Sequence, residues 1–233
     1  MPRTARSIVA GHCYHVINRA NNKARIFHDN SDYAAFTGFM AEARLRFNAS
    51  LLAACLMPNH VHFVLQPNHP SDITRWMHWV FTTHVGHHHR KYGTLGRLWQ
   101  GRFKASPIQR DRHLLLVMRY VERNALTAYL VGRAEDWRWG SLHWRMHGHP
   151  LLAPDASPVT LPNNWIEWVN TAQSAKELAN LRASISRERP IGSEEWVLQT
   201  ARDSGMMSSI NPRGRPRKSE NQSEGEATYS LFE

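Results

Sequence analysis

The chain has almost no cysteine. Cys13 and Cys55 are the two among 233 residues; they share no CxxC spacing, and each stands among apolar residues. That argues against a disulfide framework and predicts two buried free thiols in a reducing compartment. Long apolar runs are missing as well. No stretch approaches the roughly 20 apolar residues of a membrane span, and none follows the basic start with Arg3 and Arg6. A soluble, cytoplasmic protein with no membrane partner is expected. Acidic residues are short: 19 Asp and Glu stand against 29 Lys and Arg, and the net charge of +10 calls for an acidic partner, most simply nucleic acid. A basic enzyme that never meets nucleic acid has the same balance. No internal repeat is found. What is plentiful is apolar surface, 42% of residues with nine Trp, enough for one good-sized domain with extras or two small ones.

Hydrophobic periodicity lays out the elements. Cys13 to Arg19 alternates as a first strand, and Asn21-Asn22 ends it. Ser31 or Asp32 is placed to cap a helix with Tyr33, Phe36, Met40, Ala43 and Phe47 at helical spacing. Apolar residues from Leu51, a Pro58-Asn59 turn and a second run to Leu65 predict a strand pair. Ser71 then caps a helix whose Ile73, Trp76, Met77, Val80 and His84 share a face, and Phe103 to Gln109 adds a strand. The order βαββαβ predicts an α+β, ferredoxin-like split unit: an antiparallel sheet with helices on one face. Asp111 caps a longer helix, Arg112 to about Leu130, with Leu114, Val117, Met118, Val121 and Ala125 buried. The run 136–142 reads as an aromatic cover. Trp165 to about Arg187 and Ser193 to Asp203 read as helices, either packed on the domain or forming a helix-turn-helix-like appendage. The expected division is a catalytic domain at 1–145, a Pro-rich linker at 146–164, a small helical extension at 165–210, and a basic arm with a disordered tail at 211–233.

Cations and aromatics concentrate in two places. Arg97, Trp99, Gln100, Arg102 and Lys104 suit single-stranded nucleic acid, because cations hold phosphates while an indole stacks a base. The neighbouring His87-His88-His89 cannot chelate together on a helix, where consecutive residues point about 100° apart, and is expected to be solvated. Near the end, Arg213, Arg215, Arg217 and Lys218 form an arm of the kind that enters narrow minor grooves.

The stretch Met57 to Leu65 organises the rest. Side chains alternate along a strand, so Val61, Phe63 and Leu65 face one side while His60 and His62 face the other. Two imidazoles so placed can converge on one divalent metal; they can equally be polar residues facing water. Tyr120 and Asn124, four apart, share one flank of the Asp111-capped helix. A tyrosine there is commonly a rim residue with its hydroxyl in water. Read together, His60, His62 and the amide oxygen of Asn124 supply three ligands that suit Mg²⁺ or Mn²⁺. Tyr120 is then the nucleophile. A free phenol, with a pKa of about 10, needs a nearby cation to react at neutral pH. Its attack on a phosphodiester would leave a 5′-phosphotyrosine and a free 3′-OH, a step that another 3′-OH can reverse without ATP.

Three ordered blocks carry a resemblance: Pro58 to His62, Trp99 to Lys104, and Tyr120 to Asn124. With them the chain resembles the single-tyrosine HUH transposases, and more closely the REP-associated tyrosine transposases related to the insertion-sequence 200/605 group. The resemblance runs from about Gly11 to Leu142, and the stretch Arg189 to Ser193 and the basic tail also fit. It implies His60 and His62 as metal ligands, Tyr120 as nucleophile and Asn124 in the third-ligand position, where insertion-sequence relatives commonly have Gln. Ala125 stands where the subgroup often has Pro. It further implies cutting of single-stranded DNA beside palindromic hairpins, read through a short guide sequence at the hairpin foot. A monomer acting in cis and a homodimer exchanging its tyrosine helix both fit. Two other classes stay open: a hairpin-DNA-binding regulator without catalysis, and a metal-dependent hydrolase with a water nucleophile.

Overall fold

The computed structural model of the chain describes residues 8–211. Its centre is a four-stranded sheet of β1 (Cys13–Arg19), β2 (Ala49–Met57), β3 (His60–Pro67) and β4 (Lys104–Ile108), in the order β2-β3-β1-β4 with every neighbour antiparallel. The strand pair predicted around Pro58-Asn59 is a hairpin in which Met57 pairs with His60, and a register shift lies between Leu51 and Ala53. The βαββαβ order is completed by α1 (Asn30–Arg46), after β1, and α2 (Asp72–Tyr92), after β3.

The two helices of the split unit share one face of the sheet, as expected from the sequence, and α3 (Arg112–Glu122) with the C-terminal helices covers the other. Tyr14, Val16, Phe63 and Leu65 pack with α1 and α2 through Phe36, Met40, Trp76 and Met77. Cys13, Val64 and Cys55, of opposite parity, pack instead under α3 through Leu114, Val117, Met118 and Val121. Almost every residue of β2 and β3 is buried, because a sheet sandwiched between two helical layers has no wet side. Burial raises the Cys13 thiol to about 11 and the Cys55 thiol to about 12, which keeps both inert.

Helix ends depart from the sequence reading where side chains decide them. Asp29, rather than Ser31 or Asp32, caps α1: its carboxylate accepts from the backbone of Ser31 at 2.8 Å and Asp32 at 3.1 Å. Asp32 completes a capping box by accepting from the backbone of Asp29. Ser71 stands at the N-cap of α2 without a side-chain capping bond; the Asp72 carboxylate accepts from the His69 backbone instead. Asp111 caps α3 as expected. The predicted run to Leu130 breaks at Arg123, giving α3 and a short α4 (Asn124–Thr127). Likewise Trp165 to Arg187 is two helices, α6 (Trp165–Asn170) and α7 (Ala175–Arg187), with α5 (Ser141–His147) before them. Arg119 and Arg123 turn to the end of α6, donating to carbonyls of Trp168, Val169, Asn170 and Thr171, while Ser174 and Glu177 restart the chain with a capping box.

The aromatic cover closes the β2 edge: Leu56 and Trp139 join through their backbones at 3.0 Å, and the Trp137 indole donates to the Leu56 carbonyl. At the opposite edge Ile191 exchanges backbone bonds with Pro107 and Gln109 beside β4. Leu181, Ile185 and Ile191 enter the second core layer, so the C-terminal helices pack on the sheet rather than standing off as an appendage. The chain continues through α8 (Glu194–Asp203), capped by Ser193 as predicted, and α9 (Met207–Ile210). Among the described residues no helix is long and apolar enough to cross a membrane.

Candidate active site

Parity along the strands builds the site. His60 and His62 on β3 point to the α3 side, and so do His15, Ile17 and Arg19 on β1, whose register pairs Ile17 with His62 and Arg19 with His60. Lys104 at the start of β4 pairs with Ile17 and joins the same face. Over them α3 and α4 bring Tyr120 and Asn124, and α7 brings Arg182 and Ser186. The result is a cleft of about 520 Å³ that also takes in Gln100 and Arg102.

Both histidines are held on one nitrogen. Asn59 donates through its Nδ2 to the Lys23 carbonyl at 3.0 Å, which turns its Oδ1 onto His60 Nδ1 at 2.6 Å. His60 therefore carries its proton on Nδ1 and presents a lone pair at Nε2. His62 Nδ1 faces His15 Nε2 at 2.9 Å. Burial, with the Arg19 charge second, lowers His60 to about 4. Burial, then the charges of His60, His15 and Arg19, takes His62 well below its ordinary value, and burial alone takes His15 to about 3. All three are neutral at pH 7, the state in which an imidazole can ligate a metal. The ring centroids of His60 and His62 are 4.9 Å apart, and the Tyr120 ring meets His62 edge-on at 5.8 Å and His15 at 6.3 Å.

This donor set fits a divalent cation. His60, with Nδ1 engaged by Asn59, leaves Nε2 for metal, and His62 does so in the tautomer in which its Nδ1 donates to His15. No three His, Cys, Asp or Glu side chains are disposed to hold a metal ion together among the described residues. A third protein ligand must therefore be of another kind, and the Asn124 amide lies in the same cleft.

Of the residues expected to meet DNA, Gln100, Arg102 and Lys104 line the cleft, and the Lys104 ammonium also donates to the Ser186 carbonyl. Arg97 does not; it lines a neighbouring groove with Phe81, Arg102 and Phe103. Trp99 is corrected. It is 6% exposed, with Phe81 at 4.5 Å and His84 at 5.5 Å, so its ring has no face left for a base. The core on the α1 and α2 side claims the indole because the loop before β4 folds back over those helices. The triple histidine is not uniformly solvated either: His88 is buried against His84 and Tyr92, and His89 bonds Thr94 and the Gly96 carbonyl. Arg213, Arg215, Arg217 and Lys218 lie outside the described residues.

Sequence reasoning missed His15, Arg19, Asn59 and Arg182. For His15 and Arg19 a signal existed, their shared parity on the first strand, but the register that sets them beside His62 and His60 is a tertiary fact. Asn59 was read only as a turn residue. Arg182 left no signal, since nothing local brings α7 to the cleft.

Residues 8–124, half of the chain, match the model of a family described as IS200-like transposases. Among solved structures, that of a REP-associated tyrosine transposase bound to a REP hairpin superposes with a TM-score of 0.53, covering 68% of this chain and 96% of the other at 16% identity. At that identity the likeness shows the fold alone. A crystal structure of a transposase candidate from Deinococcus radiodurans aligns over 55% of this chain and 95% of its own, also at 16% identity, with a TM-score of 0.36. No curated protein matches the sequence.

Proposed function

This chain belongs to the IS200-like transposase family, and on that footing we propose that it is a metal-dependent endonuclease and strand transferase for single-stranded DNA, acting at palindromic hairpin repeats through a 5′-phosphotyrosine. One observation carries the reading: the phenol of Tyr120 stands edge-on to His62 in the same cleft as His60 and Asn124, all supplied by a single chain.

Tyr120 Oη attacks the scissile phosphorus, the bond from phosphorus to the 3′ oxygen breaks, and the 5′ end stays on the enzyme. The phenol loses its proton and the departing 3′ oxygen gains one, so the step is neutral overall and a second 3′-OH can reverse it. Mg²⁺ or Mn²⁺ held by His60, His62 and Asn124 would supply positive charge against the scissile phosphate. Arg19 would grip that phosphate: it lines the cleft and pairs across the strands with His60. Gln100, Arg102 and Lys104 take the flanking backbone. The related structure holding a REP hairpin supports hairpin DNA as the substrate class.

A trapping assay tests this. Labelled single-stranded hairpin from the gene's own flanks, incubated with Mg²⁺ or Mn²⁺, should give a covalent band on a denaturing gel. The band should vanish in Tyr120→Phe and with chelator. Cleavage surviving Tyr120→Phe would point to a water nucleophile, and binding without cutting to a hairpin-binding regulator.

A further inference from the structure

The two histidines of β3 differ in how firmly they are set for a cation. At His60 the neighbour admits one answer: Asn59 presents an oxygen, which can only accept, and its amide is oriented by the Lys23 carbonyl. At His62 the neighbour is another imidazole. His15 Nε2 and His62 Nδ1 lie 2.9 Å apart, and a single proton must sit between them on one nitrogen or the other. If His15 holds it, His62 Nδ1 accepts, its own proton stands on Nε2, and the ring cannot ligate. If His62 holds it, Nε2 is a lone pair.

We propose that His15 is the positioning residue for His62: it accepts the Nδ1 proton of His62 through Nε2 and so sets both the ring angle and the tautomer in which His62 binds the cation. This rests on the reading of His62 as a metal ligand. His15 is suited to the role because it is fully buried in the middle of β1, where the sheet allows it little movement. Its other nitrogen, Nδ1, is buried with no hydrogen-bond partner among the described residues. The proton that leaves Nε2 for Nδ1 as His62 takes up a cation finds no acceptor there, a cost that cation binding has to offset. His15 also packs its ring at 6.3 Å against Tyr120, which makes it a common support for ligand and nucleophile.

The test uses the full chain and Mn²⁺ alone. Isothermal titration is run on wild type and three variants: His15→Gln, whose amide reaches to about the place of Nε2; His15→Asn, which stops short; and His15→Leu, which fills space without accepting. Leu and Asn should weaken Mn²⁺ binding roughly 10- to 100-fold, the usual loss for an outer hydrogen-bond partner. Gln should stay within a few-fold of wild type. Nitrogen-resolved histidine spectra should show the His62 proton on Nδ1 when Mg²⁺ is added to wild type, a signature that a purely structural role would not move. Should the Leu variant not fold, the Gln and Asn pair carries the comparison. Equal Mn²⁺ affinity in all variants, or a His62 proton that stays on Nε2 with Mg²⁺ bound, overturns the inference while leaving the metal reading intact. Absence of Mn²⁺ binding by wild type, or binding undiminished in His62→Ala, overturns the metal reading and this inference with it.

Discussion

Beneath the tyrosine helix a single carboxylate gathers the layers around it. Glu122 is 3% exposed and accepts from Ser141 at 2.6 Å, Arg145 at 3.0 Å and the Trp165 indole at 2.7 Å, tying α3 to α5 and α6. Removing one member of such a buried, paired network strands the others, so Glu122→Ala should cost about 3 kcal/mol or more in denaturant unfolding. A loss below about 1 kcal/mol would show the network to be dispensable. In the cleft, Arg19→Gln removes the guanidinium proposed to grip the scissile phosphate. Cleavage should fall about 100-fold, as when one transition-state donor is lost, with Arg19→Lys recovering part of it. Single-turnover rates equal to wild type would remove Arg19 from the site. Glu122 does not announce itself in the sequence. A glutamate two positions after Tyr120 reads as an ordinary helical charge, and only the folded chain turns it inward.

At the scale of elements, α2 carries a latent acid sensitivity. His84 is buried among Phe27, Phe36 and Trp99, and burial, with the charges of His88 and His87 next, lowers it from 6.5 to about 3. The unfolded chain binds a proton below pH 6.5 that the folded chain refuses until about 3. The neutral ring's stability is thus present above 6.5 and drains away as pH falls toward 3. His15 and His62 act in the same direction. Replacing His84 with Leu should flatten the acid limb of stability against pH by one proton's worth, about 1.4 kcal/mol per pH unit. Parallel unfolding series between pH 4 and 7 would reveal it, and identical slopes would sink the account. Element types were legible because the strands read as short apolar runs bounded by turn residues, and the helices repeat with period 3.6. Element ends were not, because Asp29, Arg119 and Arg123 act through side chains that reach residues the periodicity does not connect.

For the whole molecule, one chain lines the cleft with both histidines, the tyrosine and the asparagine. On the proposed reading the tyrosine acts in cis. A mixture of His60→Ala and Tyr120→Phe proteins should stay inactive, whereas cleavage restored by mixing would mean that the helix is exchanged between copies. The net charge of +10 belongs to the same scale. DNA binding should weaken linearly in log–log plots against salt, and clipping after Ser209, which removes Arg213, Arg215, Arg217 and Lys218, should flatten that slope. An unchanged slope would take the arm out of the interface.

From local pattern alone came the βαββαβ order, the hairpin at Pro58-Asn59, the opposed faces of Val61 and His62, the buried stripe of α3 and the pairing of Tyr120 with Asn124. These follow from periods of 2 and 3.6, which any stretch of chain displays by itself. Tertiary structure decided what depends on register and on which layer an element meets. It placed helices on both faces of the sheet, took Trp99 into the core, set His15 on His62 and Arg19 beside His60, and carried α7 to the rim of the cleft. The reason is physical. Alternation tells a side chain which face it takes, but its neighbour on that face comes from a strand or helix distant in sequence, chosen when the whole apolar surface is buried at once.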